Sequence, residues 1–180
     1  MLFRSIAALR AADTLEQAQQ RAVHLIAYRP RSVREVRQRL EKTGVDEGTI
    51  ERVIEQLRKA DMLNDEAFSK AWVESRLRAT PRGRRMIAWE LRRKGVDDAV
   101  VKEALEEVDP AAEEEAARRL VRRKLRSVAR VDDTVATRRL VGMLARKGYP
   151  GGLAFAVVRE ELQARGRDGV EDDLRDIGPE

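Results

Sequence analysis

The sequence predicts an all-α fold of three tandem three-helix repeats stacked into an elongated array, and three observations carry that prediction. One short pattern, a leucine followed four positions later by a glycine, occurs at Leu40 and Gly44, Leu91 and Gly95, and Leu144 and Gly148, with the glycines 51 and 53 positions apart. Counting from each glycine, position −8 is Val36, Ile87 and Leu140, and position +10 is Ile54, Leu105 and Val158. All are apolar, so the pattern is a repeat rather than a coincidence of common residues. The third observation is compositional: seven aromatic side chains (Phe 3, Trp 2, Tyr 2) and five prolines in 180 residues disfavour a β sandwich or barrel. A unit of about 50 residues buries too little apolar surface to stand alone, so neighbouring units are expected to stack.

The elements follow in order. Thr14 and Gln17 have capping-box spacing, and Ala18, Ala22, Leu25 and Ile26 then share a helical face until Pro30 ends the run. Val36 and Leu40 mark the face of a second helix, and Gly44 supplies the left-handed residue that ends it. Ile50, Val53, Ile54 and Leu57 form an i, i+3, i+4, i+7 stripe for the third. Asn64 reads as an N-cap between Leu63 and Phe68, a hydrophobic staple, with Phe68, Ala71, Trp72 and Ser75 on one face. Ile87 and Leu91 lead to Gly95, and Val101, Ala104, Leu105 and Val108 complete the second trio. Asp109 and Pro110 cap a long helix through Leu120 and Val121. Asp132, Asp133 and Thr134 open the next helix, which runs through Leu140 and Leu144 to Gly148, and Pro150 starts the last, with Leu153, Val157, Val158 and Leu162. The expected organisation is an N-terminal extension at 1–13, repeats at 14–60, 61–108 and 109–164, and an acidic, disordered tail at 165–180.

Composition narrows the function. There is no cysteine, so disulfides, thiolate metal sites and a cysteine nucleophile are out of reach, and the one histidine, His24, leaves little for zinc chemistry or a histidine-based triad. No phosphate loop or paired nucleophile and base is present, so no catalytic, metal or cofactor site is expected. No apolar run approaches membrane-spanning length and Arg4 and Arg10 interrupt the N-terminal one, which predicts a cytoplasmic protein with no membrane partner. The net charge of +5 hides strong striping. Residues 74–95 hold eight basic and two acidic side chains and 118–147 hold eleven and two, whereas 97–115 hold one and nine. A polyanion or an acidic protein surface is the partner such stripes suit.

The residues resemble the RecX regulatory proteins of bacteria, which modulate the RecA recombinase. The resemblance spans roughly 18–162. It rests on Ala22 to Ile26 followed by Arg29-Pro30-Arg31-Ser32, on Leu40 to Gly44, on Leu63 to Phe68 with Trp72 and Val73 behind it, and on Gly83 through Leu91 to Gly95 and Val96. Their order and spacing are specific; no one element is. The resemblance implies a curved molecule of three tandem repeats, without catalysis, that binds in the groove of the RecA filament on single-stranded DNA and restrains ATP hydrolysis, strand exchange and filament growth; separately, the chain is expected to be a monomer. It carries no active-site residues over. Residues 1–17 and 163–180 have no counterpart, and the third repeat has Thr134 and Val135 where the others have Pro30 and Arg31 or Pro81 and Arg82.

Candidate partner-binding residues are therefore the cations of the two basic stripes: Arg82, Arg84, Arg85, Arg92, Arg93 and Lys94 with Trp89 among them, then Arg118, Arg119, Arg122, Arg123, Arg138 and Arg139. At 100° per residue Arg85, Trp89, Arg92, Arg93 and Met86 lie opposite the Ile87 and Leu91 face, where the tryptophan either stacks on a partner or packs against the adjacent repeat. The plainer reading of 113–123 is a solvated helix with pairs such as Glu114 and Arg118. The structural set is Val36, Leu40, Gly44, Ile87, Leu91, Gly95, Leu140, Leu144 and Gly148. A competing function is a DNA-binding protein of helix-turn-helix-like units, since two short helices joined at a glycine resemble that motif.

Overall fold

The computed structural model describes residues 2–175, with side chains described from 12 to 166. Among them are nine α-helices: α1 (Leu2–Tyr28), α2 (Val33–Glu41), α3 (Glu47–Lys59), α4 (Asp65–Arg78), α5 (Arg84–Arg93), α6 (Asp98–Glu106), α7 (Pro110–Leu125), α8 (Asp133–Arg146) and α9 (Gly151–Arg175). A 3₁₀ turn at Arg126–Val128 follows α7, and no strand occurs among the described residues. The all-α expectation of three helices per repeat holds.

The three glycines end their helices in one conformation. Gly44, Gly95 and Gly148 have φ of +79°, +78° and +88°. In each case the glycine N–H donates to the carbonyl three residues back and the next N–H donates to the leucine carbonyl: Val45 to Leu40, Val96 to Leu91, Tyr149 to Leu144. That double bond pattern is the Schellman motif, which needs a left-handed residue and therefore favours glycine. The leucines and the residues at −8 are all buried. At +10, Ile54 and Val158 are buried and Leu105 is partly so.

The chain divides into two compact units. Unit 1 takes the residues up to Trp72 together with Glu90–Ala104, and unit 2 takes Val73–Trp89 together with the residues from Leu105 on. The core of unit 1 packs Ala18 and Ala22 of α1 against Val36 and Leu40 of α2 and Ile50, Val53, Ile54 and Leu57 of α3. In unit 2, Ala117, Leu120 and Val121 of α7 meet Leu140 and Leu144 of α8 and Ala154, Val157 and Val158 of α9.

Each unit also holds one joint between successive repeats. In unit 1 the N-terminus of α2 meets the end of α5: Ser32 Oγ donates to Lys94 O at 2.6 Å, and Val33 N–H donates to Asp65 Oδ1 at 2.9 Å. Ser32 also closes its own capping box with Glu35. In unit 2 the N-terminus of α5 meets the end of α8: Gly83 N–H donates to Lys147 O at 2.9 Å, and Arg84 N–H donates to Glu113 Oε1, also at 2.9 Å. The joint is therefore periodic: a carboxylate near the start of the next repeat accepts the amide 11 positions before the glycine. α8 does not offer this edge, because it begins 15 residues before its glycine where α2 and α5 begin 11 before theirs.

Three expectations need correction. Thr14 does not start a helix; α1 begins at Leu2, since residues 2–12 are alanine-rich and contain neither proline nor glycine. Gln17 Nε2 instead donates to Asp13 Oδ2, one turn back, at 2.9 Å. The tail expected from 165 continues α9 to Arg175. Gly166 and Gly169 lower helix propensity by about 1 kcal/mol each but, unlike proline, remove no backbone donor. The expectation for 176–180 lies outside the described residues. Finally, α4 buries Phe68, Ser69 and Val73, while Ala71 and Ser75 are exposed. Ser69 is admitted to the interior because its hydroxyl donates to the Asp65 carbonyl at 2.7 Å, which a pattern of apolar residues does not reveal.

The expected caps at Asn64, Asp109 and Asp132 are all present. Asn64 Oδ1 accepts from Glu66 and Ala67, Asp109 from Ala111, and Asp132 from Thr134 and Val135.

Candidate polyanion-binding surface

Cations held by internal carboxylates are poor ligands for an external anion, so the surface is found by asking which are free. Arg118 on α7 is not. It lies 2.5 Å from Glu114, 2.9 Å from Glu160 and 3.1 Å from Glu161, and Arg122 Nε lies 2.9 Å from the other Glu161 oxygen. The hydrogen bond to Glu160, before all else, holds the Arg118 guanidinium above its ordinary pKa. Glu161 is buried, so this network ties α7 to α9.

Arg84 is equally committed. Its Nη2 donates to Val108 O at 2.8 Å, and its Nε lies 2.8 Å from Glu113 Oε2. That Nε–H is not aimed along the contact, and Nε counts among the buried atoms without a hydrogen bond, so the attraction there is coulombic. Arg119 donates to the Leu77 carbonyl, Arg92 pairs with Asp98, and Lys94 lies 2.9 Å from Glu35 with its Nζ 4.3 Å from the centre of the Trp72 ring.

What remains in unit 2 is a trio of cations, Lys147, Arg123 and Lys124, close to Arg82. Lys147 sits at the end of α8, and its ammonium pKa is depressed by burial first and then by the charges of Arg82, Arg123 and Lys124. Lys147, Arg123 and Lys124 make no side-chain hydrogen bond or ion pair among the described residues. The Tyr149 side chain is buried beside them, its hydroxyl has no hydrogen-bond partner, and burial raises its pKa, followed by the charge of Glu113; Arg82, Arg119 and Arg123 act in the opposite sense. Cations that repel one another without compensation are stabilised by whatever anion arrives. Arg82 and Arg123 were expected to contribute. Lys124 and Lys147 were not singled out, although both belong to the basic stripe and Lys147 directly precedes the third repeat glycine.

On α5, Arg85, Arg92 and Arg93 are exposed and Trp89 is 51% exposed. Met86 parts company with them: a Cβ at Gly148 would stand 2.4 Å from Met86 N, so this turn is packed against the end of α8. Arg138 and Arg139 are exposed on α8. His24 is exposed on α1. Among the described residues no group of three or more histidine or acidic side chains is placed to hold a metal, and no helix is long and apolar enough to cross a membrane.

Comparison with known proteins agrees with this architecture. Family models described as the first, second and third three-helix domains of RecX match residues 18–57, 64–105 and 112–158. "Regulatory protein RecX" of Amycolatopsis mediterranei is 44% identical over 158 residues, covering 88% of this chain and 90% of that one. Its namesake in Streptomyces coelicolor is 42% identical over 156 residues, 87% of this chain and 83% of that one. Among solved structures, RecX from Lactobacillus salivarius superposes with a TM-score of 0.76 at 21% identity, covering 83% of this chain and 97% of its own, which shows a shared fold.

Proposed function

Because this chain belongs to the RecX family of regulatory proteins, we propose that it binds the RecA filament on single-stranded DNA and restrains its ATP hydrolysis, strand exchange and growth, without catalysing a reaction itself. In this reading it works as a cytoplasmic monomer. The observation that supports it most is the group of Lys147, Arg123 and Lys124, which have no carboxylate partner among the described residues, with Arg138 and Arg139 exposed on α8. A nucleoprotein filament is a polyanion, and each phosphate met by a lysine or arginine releases counterion, which favours association at low salt. No chemistry is needed for regulation: a protein that binds one filament state more tightly than another shifts the population by that difference in affinity.

The test compares affinity for RecA-coated and bare single-stranded DNA across a salt series. The proposal expects tighter binding to the coated strand, with a log–log salt slope that flattens by close to one for each cation removed from this surface. Tighter binding to bare DNA, with a preference for base sequence, would replace it by the helix-turn-helix reading.

A further inference from the structure

Unit 1 holds a groove between α1 and α2 that neither joint uses. It encloses about 440 Å³ and is lined by Arg21, His24, Leu25, Arg39, Leu40 and Thr43. Its position in the repeat is informative. Counted from Gly44, Arg21, Arg39 and Thr43 stand at −23, −5 and −1, and the same positions in the second repeat are Trp72, Glu90 and Lys94.

There the corresponding surface is covered. Trp72 Nε1 donates to Glu90 Oε2 at 2.8 Å, the Lys94 carbonyl accepts from Ser32, and the Lys94 ammonium receives the Glu35 carboxylate. A Cβ at Gly95 would stand 2.1 Å from Arg34 Cδ, whereas one at Gly44 would meet nothing within 4 Å. The second repeat thus shows a bay at these positions receiving a chain segment that carries a carboxylate; its cation there is Lys94 at −1, where the first repeat has Thr43 and supplies Arg21 and Arg39 instead. The first repeat presents the bay to solvent.

The lining sets the chemistry of the occupant. Leu25 and Leu40 form an apolar floor, and Arg21 and Arg39 stand on the rim with no carboxylate among the lining residues. Arg31, Glu35, Gln38 and Lys42 line the adjoining depression, which shares Leu25 and Arg39, and Glu35 is already paired with Arg29 and Lys94. Arg21, Arg39 and Lys42 make no ion pair among the described residues. A phosphate backbone would satisfy the rim and leave the floor wet; a peptide with carboxylates beside leucine-like side chains satisfies both. We propose that the α1–α2 groove docks an acidic, apolar-bearing segment of a partner protein, in the way the second repeat receives Ser32 and Glu35.

The experiment uses the full chain and a fluorescein-labelled synthetic peptide of serine, leucine and glutamate, read by fluorescence anisotropy. No recombinase is present, so its outcome is independent of the filament reading. Saturable binding is expected, weakened at least about tenfold by R21E/R39E through loss of charge-assisted contacts. Both arginines are exposed, and circular dichroism checks that the variant stays folded. A glutamine-for-glutamate peptide is expected to lose binding to the same extent, and an oligo-dT strand is expected not to displace the acidic peptide. Three results would each overturn the proposal: unchanged peptide affinity in R21E/R39E, displacement by oligo-dT, or self-association of the wild-type chain that R21E/R39E abolishes.

Discussion

The two joints place the same repeat positions together by different means. In unit 1 the approach is made by side chains: Ser32 Oγ reaches Lys94 O, and Arg34 lies over Gly95 with Cβ, Cγ and Cδ. In unit 2 it is made by backbone. Gly83 replaces the serine, its N–H and that of Arg85 bond directly to Lys147 O and Gly148 O, and a Cβ on Gly83 would stand 2.4 Å from the Gly148 carbonyl. A side chain can swing away from an intruding atom and a hydrogen-bonded backbone cannot, so the second joint should tolerate far less change.

Substitution of the three repeat glycines by alanine tests that difference, since all share a positive φ and differ only in what surrounds them. Gly148→Ala combines the left-handed penalty with a clash against Met86 N and is expected to cost about 3 kcal/mol or more in urea unfolding. Gly83→Ala should approach it without the φ term. Gly95→Ala falls between, because Arg34 can move. Gly44→Ala meets open space and is expected to cost only about 1 kcal/mol. Equal losses at Gly148 and Gly44 would mean that the joint in unit 2 is not close-packed. Ser32→Ala removes an N-cap and the bond to Lys94 O, for an expected loss of about 1–2 kcal/mol by the same measurement.

The smallest effect concerns two carboxylates in the unit 1 joint with opposite shifts. Burial raises Asp65 above its ordinary 3.8, against the bond from Val33 N–H. Burial also pushes Glu35 upward, but bonds from Lys94, Ser32 N–H and Arg29 outweigh it and hold Glu35 below 4.5. The lowered Glu35 contributes stability that is present above pH 4.5 and lost as pH falls through its folded value. The raised Asp65 contributes stability that is present below pH 3.8 and lost as pH rises through its folded value. Asp65→Asn keeps an acceptor for Val33, so at neutral pH its urea midpoint should equal or exceed that of the wild type, while that of Glu35→Gln should fall. Both differences should shrink in acid. A destabilised Asp65→Asn at neutral pH would contradict the sign assigned to Asp65.

The repeat was legible in the sequence because one local requirement, a left-handed residue four positions after a buried leucine, admits few residues and recurs three times. The caps at Asn64, Asp109 and Asp132 were legible for the same reason: their bonds reach only two or three residues ahead. The committed cations were not. Arg84 finds Glu113, Arg118 finds Glu161 and Lys94 finds Glu35 at separations of 29, 43 and 59 residues, so a count of charge along the chain shows basic stripes in which the fold has already paired several of the cations. The start of α1 escaped because a helix that continues through alanine leaves no signal of its own, and the groove beside Gly44 is visible only once the occupied bay of the second repeat is seen.

The filament-docking claim is tested most directly by RecA ATP hydrolysis on single-stranded DNA, titrated with this protein and with a variant carrying Arg123→Ala, Lys124→Ala and Lys147→Ala. The wild-type chain is expected to suppress hydrolysis at substoichiometric ratios and the folded variant to require at least about tenfold more, which corresponds to roughly 1.4 kcal/mol spread over three contacts. Suppression by the variant at the same ratios, or no suppression by either, would contradict the assignment of this cationic surface to the filament.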